Sequence, residues 1–129
     1  MPVPVSTGYA LNRTRQAYLA RHLRIADTHW SRFCGLMGTD TGSFPAGQGL
    51  WIVPSHGVHT FAMRFPIDVI YLDREKVVVH LEANLKPWRL APVRLRATSI
   101  LELPGNTLSS TQTAIGDEIE IALGQAAQE

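Results

Sequence analysis

Ile67-Asp68-Val69-Ile70-Tyr71-Leu72-Asp73-Arg74-Glu75-Lys76-Val77-Val78-Val79-His80-Leu81 is the stretch from which the fold of this chain can be read. Two runs rich in β-branched and aromatic residues flank the charged segment Asp73-Arg74-Glu75-Lys76, the pattern of a β-hairpin. At least part of the sheet is therefore antiparallel. The first run is apolar at almost every position, which is how a strand covered on both faces reads. Asp68 stands inside it, and a buried carboxylate must find a partner or take up a proton. Arg64 and Arg89 offer bidentate pairing, and His59 or Thr60 a hydrogen bond.

Outward from the hairpin, further short strands follow the same logic. Leu50-Trp51-Ile52-Val53 is stopped by Pro54, Ser99 to Leu103 is closed by Pro104-Gly105, and Ile119, Ile121 and Leu123 alternate after the turn at Gly116-Asp117. Leu19, Leu23 and Ile25, interleaved with Arg21 and Arg24, suit a half-exposed edge strand over residues 18–26. Asp27 or Thr28 supplies an N-cap, after which Trp30, Phe33, Cys34 and Met37 form one apolar stripe of a helix over 28–37, ended by Gly38. Residues 39–49 read as a loop, residues 85–92 as an ordered loop anchored by Trp88, and residues 107–114 fit a polar loop or a helical turn equally. The expected fold is α+β: a mainly antiparallel, curled or barrel-like sheet with one main short helix. It forms a single domain over residues 17–124, between a flexible segment 1–16 and a frayed tail 125–129.

At 129 residues the chain has room for one core. Twelve basic and eleven acidic residues leave a net charge of +1, too small to point to nucleic acid or an anionic membrane. Arg13, Arg15, Arg21, Arg24 and Arg32 outnumber Asp27 in the first 32 residues, but they lack aromatic interleaving and read as a solvated face. The single cysteine, Cys34, rules out an intramolecular disulfide and a multi-cysteine zinc site, and it falls on the apolar stripe, where it packs as a small hydrophobe rather than acting as a nucleophile. No signal-like h-region or membrane-spanning run is present, so the expected setting is cytoplasmic. Phosphate-binding and nucleophile-elbow motifs are missing, and no cofactor is expected.

The candidates for chemistry lie around the Val58-His59-Thr60-Phe61-Ala62-Met63-Arg64-Phe65-Pro66 run that leads into the hairpin. His56 and His59 could hold a metal if a turn at Gly57 brought them together, but Pro54, Gly57 and β-branched neighbours disfavour the helix that would put them on one face. Asp68 with His59, supported by His56 or Glu102, is the alternative: a small hydrolase or metal-assisted enzyme. Glu102, within Ile100-Leu101-Glu102-Leu103, turns to solvent if the strand alternates, or faces Asp68 if it does not. Trp51, Phe61, Met63 and Trp88 line a pocket or fill the core.

Taken together, Arg32-Phe33-Cys34-Gly35-Leu36-Met37-Gly38, Gly49-Leu50-Trp51-Ile52, the run from Val58 to Val69, Pro87-Trp88-Arg89, Leu101-Glu102-Leu103-Pro104-Gly105 and Gly116-Asp117 resemble the DUF192 family of small uncharacterised prokaryotic proteins. Where short members of the family show a cysteine near the start of the Val58 run, this chain has Ser55-His56. The resemblance implies a compact β-rich domain and no assigned activity. The expectation is thus a non-enzymatic binding or accessory module whose His59, Thr60, Arg64, Asp68, Trp88, Arg89 and Glu102 form a network or a polar and aromatic cleft. Its partner would be a small polar ligand or a protein segment.

Overall fold

The hairpin is present as β5 (Ile67–Leu72) and β6 (Val78–Leu85), turned by Asp73, whose Oδ1 accepts the amides of Glu75 and Val77. The computed structural model describes residues 8–128. In chain order the other elements are β1 (Gly8–Asn12), β2 (Ala17–Ala20), β3 (His22–Ala26), α1 (His29–Cys34), β4 (Gln48–Ile52), β7 (Ser99–Pro104), α2 (Thr107–Thr111) and β8 (Ile119–Leu123). They build two sheets, β2-β1-β8 and β3-β4-β7-β5-β6. All the pairings are antiparallel except β3 with β4, and the sheets do not close into a barrel. The fold is α+β and rich in strand.

The five-stranded sheet is covered on both faces. One side carries Ile52, Val69, Tyr71 and Ile100 against Leu36, Phe44, Met63 and Phe65. The other carries Leu23, Ile70, Leu72, Leu101 and Leu103 against Ala10, Leu19, Leu108 and Ile119, much of it supplied by the three-stranded sheet. Each fully buried aliphatic side chain contributes roughly 1.5 to 3 kcal/mol. Two-sided burial is why β5 and β7 read as apolar runs interrupted only by Asp68 in the one and by Ser99 and Glu102 in the other.

Several boundaries differ from the sequence reading. Of the segment 1–16 expected to be flexible, residues 1–7 lie outside the described residues, but Gly8–Asn12 is a full strand between β2 and β8, and Asn12 is buried. Its small residues and buried asparagine hide the alternation. Asn12 Nδ2 donates to Thr113 and Asp117, and Arg15 Nε reaches the same Asp117 oxygen. Burial alone would raise the Asp117 pKa, but the bonds from Arg15, Asn12 and the Ala114 amide outweigh it and hold the carboxyl below its ordinary range.

Residues 18–26 are two strands in different sheets rather than one, because the chain breaks at Arg21, where the Arg21 and His22 amides both bond to the Gly47 carbonyl. The helix is also shorter than the expected 28–37. Thr28 and Ser31 form a capping box, but Gly35, at φ +49°, ends it after Cys34. Of the expected apolar stripe, Trp30 and Phe33 face outward, 74% and 56% exposed, while Cys34 and Met37 are half-buried. Residues 107–111 adopt the helical alternative. In the tail expected to fray, Gln128 donates its amide to the Tyr18 hydroxyl and accepts from Arg21 Nη1, while Glu129 lies outside the described residues.

Candidate functional site

Asp68 finds its partners in the backbone. Oδ1 accepts the Asn84 amide at 2.8 Å and Oδ2 the Leu108 amide at 2.7 Å, so no arginine or histidine pairs with it. Leu108 is the second residue of α2, whose own cap position, Asn106, is left-handed and makes no side-chain cap bond. A carboxylate from a neighbouring strand thus does the capping, satisfying one of the first-turn amides and the positive end of the helix. Asp68 joins β5, β6 and α2.

Glu102 does not turn to solvent: it is 1% exposed, and its Oε1 has no hydrogen-bond partner. Burial raises its pKa from 4.5 to about 8, so near neutral pH it is mainly an uncharged acid. Strand register also separates it from Asp68. Asp68 is opposite Leu103 and Val69 is opposite Glu102, and paired residues share a face while successive residues alternate. The two carboxyls therefore point to opposite sides of the sheet and cannot serve one reacting bond.

The polar residues of the 56–64 run are committed to holding other segments in place. Thr60, fully buried, donates from Oγ1 to the Lys86 carbonyl at 2.6 Å and accepts the Arg89 amide at 2.9 Å, while its backbone bonds Trp88 and Arg89. His56 Nδ1 bonds the Ala97 carbonyl, and the Arg94 amide bonds the His56 carbonyl. The buried Tyr71 donates its hydroxyl to the Pro92 carbonyl, and burial, with Glu82 nearby, pushes its pKa up to about 12, which keeps it a donor. The loop 86–97 is thereby fixed from beneath.

His59 ties α1 to the same platform. Its Nε2 lies 2.8 Å from the Phe33 carbonyl and its Nδ1 accepts the Phe61 amide, which assigns the proton to Nε2 and occupies both ring nitrogens. No lone pair is left for a metal or a proton transfer. His56 and His59 do not converge on an ion, and among the described residues no cluster of three or more His, Cys, Asp or Glu could hold one. Arg64 forms an exposed ion pair with Asp40, and the exposed Arg89 side chain makes no ion pair among the described residues.

What these ties create is an aromatic ribbon. Ring centroids run from Trp30 to Phe33 at 6.1 Å, Phe33 to His59 at 5.3 Å, His59 to Phe61 at 5.0 Å and Phe61 to Trp88 at 6.2 Å. Trp88 is 65% exposed, held out at φ +65°. Of the four residues considered for pocket or core, Met63 is core, Trp51 is half-buried, and Phe61 and Trp88 belong to the ribbon. The sequence reading missed Trp30 and Phe33 because helical spacing shows which residues share a face, not whether anything covers it. An outer face replaces the expected cleft, and His59, Trp88 and, through its backbone, Arg89 converge there while Asp68 and Glu102 do not.

A family model described as "Uncharacterized ACR" matches residues 10–121, from β1 into β8. The chain belongs to the DUF192 family. The DUF192 match takes in both sheets, the anchoring residues and the ribbon. The chain is similar to a UPF0127 protein of Thermococcus sibiricus, 34% identical over 115 residues covering 85% of this chain and 72% of that protein. It is also similar to one of Pyrococcus furiosus, 33% identical over 115 residues, covering 85% and 95%. A crystal structure of a protein of unknown function from Novosphingobium aromaticivorans superposes with a TM-score of 0.76 at 18% identity, covering 93% of this chain and 89% of that one, and it supports the fold.

Proposed function

We propose that this DUF192 protein is a non-enzymatic docking module whose aromatic ribbon engages an apolar partner surface. One observation carries the reading: four exposed large rings, Trp30, Phe33, Phe61 and Trp88, are linked through His59 into one line on the outside of the fold. Exposed apolar patches of this kind mark interaction surfaces, because leaving such rings in water forgoes the stabilisation that burial would give. Catalysis is less well supported, since both nitrogens of His59 and both oxygens of Asp68 are taken by structural bonds. Dodecylphosphocholine micelles provide a generic apolar probe. Titration should move backbone amide resonances within residues 29–34, 58–62 and 86–96, and Phe33→Ser with Trp88→Ser should abolish those shifts while the melting temperature holds. Shifts centred elsewhere, or unchanged in the double variant, would refute the reading.

A further inference from the structure

Among the described residues, seven of the nine exposed large hydrophobic side chains, Trp30, Phe33, Phe61, Trp88, Leu90, Val93 and Leu95, come from three segments: α1, residues 59–61 and the loop 86–96. Leu95 is 80% and Leu90 73% exposed. The same segments are basic. Residues 29–34, 59–61 and 86–96 hold Arg32, Lys86, Arg89, Arg94 and Arg96 and no acidic residue. Lys86, Arg89, Arg94 and Arg96 are all exposed, and none of the four forms an ion pair among the described residues. A chain of net charge +1 therefore separates its charge locally.

We infer that this face docks on an anionic lipid bilayer, with Trp88, Leu90, Val93 and Leu95 entering the acyl boundary and Lys86, Arg89, Arg94 and Arg96 at the phosphate level. The inference rests on the docking reading above and names its partner. Three features favour lipid. The apolar and cationic residues are interleaved along one loop, which lets each cation reach the headgroups while its neighbours go deeper. Tryptophan favours that interface through its amphipathic ring, and lysine and arginine favour it through their charge. The loop backbone is also held from below by Thr60, Tyr71 and His56, so it is pre-organised and binding has little backbone left to order. Single-stranded nucleic acid would use rings and cations but has no use for Leu90, Val93 and Leu95.

Flotation with vesicles of phosphatidylcholine alone and of phosphatidylcholine mixed with phosphatidylglycerol provides the test. The mixed vesicles should bind the protein and the neutral ones far less, with binding weakened by salt. Arg89→Ala and Arg94→Ala should each lower partitioning roughly five-fold. Leu90→Ser and Leu95→Ser should lower it too, whereas Ile115→Ser, exposed in the turn before β8, should not. Equal binding to both vesicles, indifference to the loop variants, or capture of oligothymidylate or polyglutamate through these residues instead of vesicles would overturn the inference. If micelle shifts map to the ribbon while vesicles show no anionic preference, the docking reading stands and the lipid inference falls. If the micelle shifts map elsewhere, both fall.

Discussion

Replacing Glu102 by glutamine should make the protein more stable at neutral and alkaline pH, by an amount that can be worked from the structure. The carboxyl is fully buried and has an unpartnered oxygen, and burial raises its pKa from 4.5 to about 8. Between those values the native state holds a proton that the unfolded state has released, so stability falls as pH rises and levels off above about 8. At about 1.4 kcal/mol per pH unit, the whole interval is worth on the order of 5 kcal/mol. That is an upper figure, comparable with the roughly 5 to 15 kcal/mol by which a typical domain is folded at all. Glutamine keeps the shape without the titration. Urea denaturation of both proteins between about pH 5 and about pH 9 should therefore show curves that nearly coincide at the acid end and diverge steadily towards pH 8, with Glu102→Gln the more stable. Taking the difference between the two proteins cancels the histidines and Asp117. A difference that does not change with pH, or one in which the wild type gains as pH rises, would refute a buried, protonated Glu102.

Two further substitutions test the anchoring bonds. Asp68→Asn replaces one acceptor oxygen with a donor nitrogen facing the Asn84 or Leu108 amide, and should destabilise by roughly 1 to 3 kcal/mol in thermal or chemical unfolding. A neutral outcome would mean that α2 does not depend on this cap. Thr60→Val keeps the volume and the backbone bonds but deletes the hydroxyl's bonds to the Lys86 carbonyl and the Arg89 amide, so it should cost about 1 to 3 kcal/mol and speed amide hydrogen exchange at Arg89 most and at Trp88 less. Unchanged exchange there would show that the loop is held by other means.

How much the sequence reveals differs from residue to residue. The β5–β6 hairpin, the apolar strands at Leu50 and Ser99 and the two-sided burial of β5 are legible because strand periodicity and turn chemistry are local, and the fold class follows from them. The discomfort of Asp68 is legible too, because a carboxylate inside an apolar run needs a partner wherever the chain goes. Its actual partners, the Asn84 and Leu108 amides, are sixteen and forty residues away, and only the packing of β6 and α2 against β5 brings them there. The same holds for Glu102, whose strand could have alternated outward until the end of α1 closed over that face of the sheet, near enough that a Cβ added at Gly35 would meet Glu102 Oε1 at 3.4 Å. The outward face of α1 is the clearest case. Spacing places Trp30 and Phe33 together, but whether water or protein meets them depends on which neighbours the fold supplies, and the loops 58–62 and 86–96 supply a line of rings ending at Trp88. By itself, then, the sequence determined the strands β4 to β8, the hairpin turn and the family, but not β1 or the division of residues 18–26 into β2 and β3. Only the tertiary structure decided that the polar residues serve as anchors and the aromatic ones as the surface, because partners distant in the chain are set by packing and not by period.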